Sequence, residues 1–144
     1  MTETALAVRL ARTFATTPDR LFDAWVVREN FCRWIGPEGV NCDVHAMDAR
    51  VGGAYRLTMN IPNRAPMQVE GRYSVVDRPR RIAFTWANAE TGVSSDITIA
   101  FRAVAGGTEM VLTQTADFPP DIRESIRTGW NSAFNKLERQ LEAA

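Results

Sequence analysis

Few side chains in this sequence have the chemistry for acid–base, nucleophilic or metal-binding work: His45, Cys32, Cys42, Asp43, Asp48 and Gln114 stand out. His45 is the only histidine. A metal site needs several convergent donors, and one histidine with two scattered cysteines is a weak set. A Ser-His-Asp triad would have to run through His45, and no nucleophile-elbow pattern occurs. There is no P-loop and no dinucleotide fingerprint. These absences argue against several common enzyme classes, though not against all catalysis. The most distinctive local motif is Asp48-Ala49-Arg50-Val51-Gly52-Gly53. It reads as a strand end and a turn: two glycines permit positive φ or close backbone approach. Asp48 and Arg50 could bond the turn amides or each other, and a catalytic Asp48 would require a cleft position. Gln114 shares one strand face with Leu112 and Met110. A buried glutamine needs hydrogen-bond partners, and a ligand is one candidate.

Whatever positions these groups must be read from periodicity. Residues 119–144 carry Ile122, Ile126, Trp130, Ala133, Leu137 and Leu141 at steps of four, four, three, four and four. That is one face of an amphipathic α-helix. Nearly everything before it reads as strands, so the helix must lay its apolar face on a sheet. Residues 5–14 form a first strand with Leu6, Val8, Leu10, Arg12 and Phe14 on one side, Arg12 breaking the apolar pattern. Thr17 can cap a helix, Pro18 suits its first turn and Asp19 favours its dipole. That helix turns Leu21, Phe22 and Trp25 inward; a second short one holds Phe31 and Trp34 and ends at Gly36-Pro37-Glu38-Gly39.

From Val40 the period becomes two. Val40, Cys42 and Val44 alternate with Asn41, Asp43 and His45; Tyr55, Leu57, Met59 and Ile61 alternate with Arg56, Thr58 and Asn60. Met67, Val69, Gly71, Tyr73 and Val75 form the next face, followed by Ile82, Phe84 and Trp86, then Ile97, Ile99 and Phe101, then Met110, Leu112 and Gln114. Glu70, Arg56, Arg72 and Asp96 fall on the outer, solvated face. Short connections make a six-strand antiparallel meander the economical topology. The order is strand, two helices, six strands, long helix: an α+β chain with a sheet of about seven strands.

Composition bounds the rest. At 144 residues with 45% apolar content, one globular domain spanning 1–144 with a substantial core is expected. Acids and bases balance at 17 each, which offers no basic face for nucleic acid or an anionic membrane. No stretch is apolar for long enough to span a bilayer. The N-terminus lacks the basic region and apolar run of a signal peptide, so a cytoplasmic location with free thiols is expected.

Several motifs together carry a family likeness. They are Phe14-Ala15-Thr16-Thr17-Pro18 leading into Phe22-Asp23-Ala24-Trp25, Trp34-Ile35-Gly36-Pro37-Glu38-Gly39, Asp48 to Tyr55, and Gly71-Arg72-Tyr73. Pro79 to Trp86, Gly106-Gly107-Thr108 and Gly129-Trp130 follow in the same order. On these residues the chain resembles the SRPBCC superfamily (START-like, birch-pollen-allergen-like), and within it bacterial homologues of the activator of the heat-shock-protein-90 ATPase. The resemblance implies the helix-grip fold, a curved antiparallel sheet wrapped on the C-terminal helix with a cavity between them. It implies no single activity.

With that fold, the inward aromatic and methionine positions become candidate ligand contacts. On the first helices and early strands these are Trp34, Tyr55, Leu57, Met59, Met67 and Val69. Later strands contribute Tyr73, Phe84, Trp86, Ile99, Met110, Leu112 and Gln114, and the long helix Ile126, Trp130 and Phe134. Methionine adapts to irregular pockets, and such sites are mainly apolar with a few polar groups. Gly129, inside the long helix, costs about 1 kcal/mol relative to Ala, which close packing or cavity space would offset. The first expectation is non-catalytic binding of a small hydrophobic or amphipathic molecule, with no cofactor, metal or catalytic residue. The alternatives are an enzyme of cyclase or dehydratase type, requiring Asp43, His45, Asp48 or Gln114 to face the cavity, and a chaperone-associated domain. A homodimer suits this size.

Overall fold

The computed structural model describes residues 7–116 and 118–143. Ala5 and Leu6 of the expected first strand lie outside that range, as do residues 1–4 and Ala144. The elements follow the expected order. They are β1 (Ala7–Phe14), α1 (Pro18–Val26), α2 (Arg28–Trp34), β2 (Asn41–Met47), β3 (Ala54–Asn60), β4 (Met67–Asp77), β5 (Arg81–Asn88), β6 (Ser94–Val104), β7 (Gly107–Thr115) and α3 (Pro120–Ala143).

All seven strands form one curved antiparallel sheet in the order β1-β7-β6-β5-β4-β3-β2. The meander runs from β2 to β7, and β1 closes the far edge beside β7. Because side chains alternate along each strand, register stacks them into inward rows across the sheet. One row runs Leu10, Leu112, Ile99, Ile82 and Val76; the next runs Val8, Gln114, Ile97, Phe84 and Tyr73. Gln114 is therefore a single amide set within an apolar row.

The β4 pattern differs from the simple alternation. The register shifts between Tyr73 and Val75, so Val76 pairs with inward Ile82 and packs on the core, while Val75 pairs with Ala83. A bulge adds one residue and flips every later side chain to the other face, which strict period-two reading cannot anticipate. A second shift in β2 falls at His45, which is exposed.

Helices α1, α2 and α3 cover the concave face. The Thr17 hydroxyl accepts from the Arg20 amide at 3.3 Å and Pro18 opens α1, as the capping signal predicts. Leu21, Phe22, Trp25, Phe31 and Trp34 are all buried. Along α3, Trp130, Ala133, Phe134 and Leu137 are buried. Ile122, expected on the same face, is 42% exposed, because burial along the helix begins only one turn later at Ile126. Arg12 has a partner that accounts for its place in an apolar strand face. Its guanidinium donates to Asn135 Oδ1 of α3 at 2.9 Å and lies 5.7 Å from the centre of the Phe134 ring. Among the described residues no helix is long and apolar enough to cross a membrane.

Candidate ligand cleft

Much of the hollow between sheet and helices is filled by rings. Trp25 lies 4.7 Å from Trp34, 6.2 Å from Phe31 and from Phe84, and 6.0 Å from Trp130, measured between ring centroids. The Trp34 indole N–H donates to the Ala24 carbonyl at 2.9 Å, and the Trp25 indole N–H to Met110 Sδ at 3.2 Å. Their polar atoms are thus satisfied inside the core, as a buried indole requires. Tyr55 is held the same way, its hydroxyl donating to the Thr85 carbonyl at 2.6 Å while its ring covers Gly71. Burial raises the ionisation of both Tyr55 and Tyr73 well above the ordinary phenol range.

Beside this cluster the sheet and α3 part to leave a cleft of about 250 Å³. Of the candidate contacts, Met59, Met67, Trp86, Gln114, Ile126 and Trp130 line it. Val69 lines an adjoining space. Trp34, Tyr55, Leu57, Tyr73, Phe84, Ile99, Met110, Leu112 and Phe134 do not reach the cleft and belong to the packed core. They pack with one another and with the rings of α1 and α2, Trp34 itself being one of the rings that fill this space.

Six further residues complete the wall: Ile35, Gly36, Pro37, Ser125, Gly129 and Ala133. A sequence signal for half of them exists. Ser125, Gly129 and Ala133 recur every fourth residue, a stripe of short side chains beside bulky Ile126 and Trp130. Gly129 is not there for tight packing: a Cβ added to it would meet only Pro37 Cγ, at 3.7 Å. Ile35, Gly36 and Pro37 follow a buried Trp, and a large ring just before a rigid turn is readable either as core or as the wall or mouth of a cavity.

The loop carrying Gly36 and Pro37 is strapped to α3. Lys136 Nζ donates to the carbonyls of Gly36 and Val40 at 3.0 and 3.1 Å. The Glu38 amide donates to Ser132 Oγ at 2.7 Å, and the Glu38 carboxylate pairs with Arg139 at 2.7 Å. Burial lowers the Lys136 ammonium below its usual range. Behind the same loop, burial pushes the Cys42 thiol up to about 11. Cys32 and Cys42 are both free.

Gln114 is the polar centre of the cleft, 4% exposed. An indole N–H can only donate, so the Trp130 nitrogen 2.7 Å away fixes Oε1 on its side and Nε2 on the other. Nε2 donates to Ser95 Oγ at 2.8 Å, and the Ser95 hydroxyl donates to the Trp86 carbonyl at 3.3 Å. The ionisable candidates are elsewhere. Asp48 pairs with Arg50 at 2.9 Å on the surface, where the motif serves as a turn. Asp43 accepts from Asn60 at 3.0 Å, and exposed His45 faces Thr58 Oγ1 at 2.7 Å. Among the described residues, no side chain lining the cleft is ionisable. Of the four groups named for the enzymatic expectation, Gln114 lines the cleft, whereas Asp43, His45 and Asp48 do not.

An open antiparallel sheet closed by a C-terminal helix, with an apolar cleft between, defines a helix-grip domain. Residues 15–142 match the family described as Activator of Hsp90 ATPase homolog 1-like protein, and the chain belongs to it. No curated protein matches the chain by sequence. Among solved structures it is similar to a Chromobacterium violaceum protein, with a TM-score of 0.86 and 26% identity over 96% of this chain and 98% of that one. It is also similar to the AHSA1 protein of Silicibacter pomeroyi, with a TM-score of 0.82 and 25% identity over 95% and 98% of the two chains. A Rhodobacter sphaeroides protein shares the fold, with a TM-score of 0.85 and 23% identity over 97% and 94%.

Proposed function

We propose that this chain binds a small apolar or amphipathic molecule in the cleft between the sheet and α3, and holds it without chemical change. The observation that carries the reading is the open space under Gly129 within a wall of Met59, Met67, Trp86, Ile126 and Trp130. Helix interiors disfavour glycine by about 1 kcal/mol, and here no tight contact requires it. Two methionines let the wall adapt to its occupant. The volume stands just below the ~300–1,000 Å³ of drug-sized sites, so a small occupant fits.

The test is a thermal-shift and native-mass screen of apolar probes against the parent protein and Gly129→Leu. Leucine at this position projects into the cleft and removes its space. Binding by the parent and not by the variant is expected. If no apolar probe binds the parent, the reading falls.

A further inference from the structure

We propose that the occupant of this cleft carries one carbonyl oxygen between two apolar arms, and that Gln114 Nε2 donates a hydrogen bond to it. The inference rests on the cleft-binding reading and names the chemistry of what is bound.

Two observations lead here. First, the cleft has two lobes. The larger runs between the loop at Gly36 and Pro37 and the α3 face at Gly129. The smaller, of about 160 Å³, lies between Val69, Ser95 and Phe118. Met67, Trp86, Gln114 and Ile126 line both, so the two spaces lie next to each other at these four side chains. Gln114 is the only polar one among them. Val69, Val93 and Phe118 supply the apolar wall of the smaller lobe, with Asn88 and Ser94 beside Val93.

Second, the hydrogen bonds of Gln114 are directed and incomplete. Trp130 donates to Oε1, Nε2 donates to Ser95, and Ser95 donates onward to the Trp86 carbonyl. A primary amide has two N–H groups. One is committed to Ser95, and the second has no acceptor among the described residues. Water in the cleft can accept from this donor, and a ligand that displaces the water must supply an acceptor in its place or leave a buried donor unpaired. A carbonyl oxygen fits because it accepts without bringing a hydrogen of its own. Since the donor sits where the two spaces adjoin, the oxygen must sit within the ligand and not at its end.

The experiment titrates the unmodified protein with dipentyl ketone, the methyl ketone of the same carbon count and the matching n-alkane, following intrinsic tryptophan fluorescence. Dipentyl ketone is expected to bind roughly tenfold more tightly than the alkane, the gain one added hydrogen bond provides. The methyl ketone should bind like the alkane. Gln114→Leu should abolish the ketone's advantage. Should that variant not fold, the Gln114 side-chain amide resonance of the unmodified protein decides: it should move with dipentyl ketone and stay with the alkane. Equal affinity for all three probes with an unmoved amide resonance overturns the proposal while leaving cleft binding intact. An equal gain from both ketones overturns the two-armed geometry. Failure of all three to bind removes the cleft reading and this inference with it.

Discussion

Beneath α1 and α2 the concave face of the sheet is filled with rings, whereas beneath the first half of α3 it is left open. In the filled half Trp34 and Phe14 are fully buried, and Trp25 alone meets four other rings. In the open half Trp86 is half-buried, and the helix presents Ser125, Gly129 and Ala133. The same sheet supports both. Interiors pack to crystal-like density when the facing side chains have volume to do so, and a void persists where they do not. The helices, more than the strands, therefore decide where this molecule is hollow.

The sharpest way to break that contrast is to hollow the filled half. Trp34→Ala should lose ~3–5 kcal/mol in urea denaturation, the usual cost of deleting a buried indole. A loss under ~1 kcal/mol would mean the two halves are packed alike.

A second test uses the groups behind the cleft wall. The folded Cys42 thiol titrates at about 11 against an ordinary 9.0. Above the ordinary value the unfolded thiol loses its proton while the folded one keeps it. The stabilisation is therefore complete below about pH 9 and is lost as pH rises towards about pH 11, by at most ~2–3 kcal/mol. Lys136 acts oppositely: burial lowers its folded ionisation, so stability gains with pH until the unfolded lysine also deprotonates. Urea midpoints across this range should fall in the parent and fall less in Cys42→Ala. An identical fall in both would show that the wall is wetter than the packed half.

Gly129→Ala should stabilise α3 by about 1 kcal/mol in the same assay while weakening whatever the cleft binds. The equivalent change at Gly71 should destabilise, because its added Cβ would lie 1.9 Å from the Thr85 carbonyl oxygen. Smallest of all is Asp48→Ala. Its partner Arg50 is largely exposed, so stability should change by under ~1 kcal/mol and ligand affinity not at all. A marked loss of affinity would return Asp48 to the functional site.

The architecture was legible wherever periodicity was strong and capping chemistry explicit. The face of α3 from Ile126 onward, the Thr17 and Pro18 start of α1 and the alternation of β6 and β7 translate directly. The bulge at Tyr73–Val75 was not, since one inserted residue leaves no mark in residue types. Nor was the division of inward residues between core and cleft. Tyr55, Phe84 and Trp86 share the same inward pattern, yet only Trp86 reaches open space, because the rings of Trp25 and Trp34 lie over one end of the sheet. That placement depends on where α1 and α2 dock, which is set by tertiary packing and not by local sequence. Gln114 stood out because an amide in an apolar row must answer to something; its partners Trp130 and Ser95 come from elements far apart in the chain.

The pairing of Trp86 and Trp130 across the cleft, 5.7 Å between ring centroids, has an optical consequence. Two indoles this close share excitation, and both line the same cleft. Anything admitted there must displace solvent from at least one chromophore, shifting its emission and altering the near-ultraviolet circular dichroism. The indole pair would therefore report any occupant of the cleft without an added label.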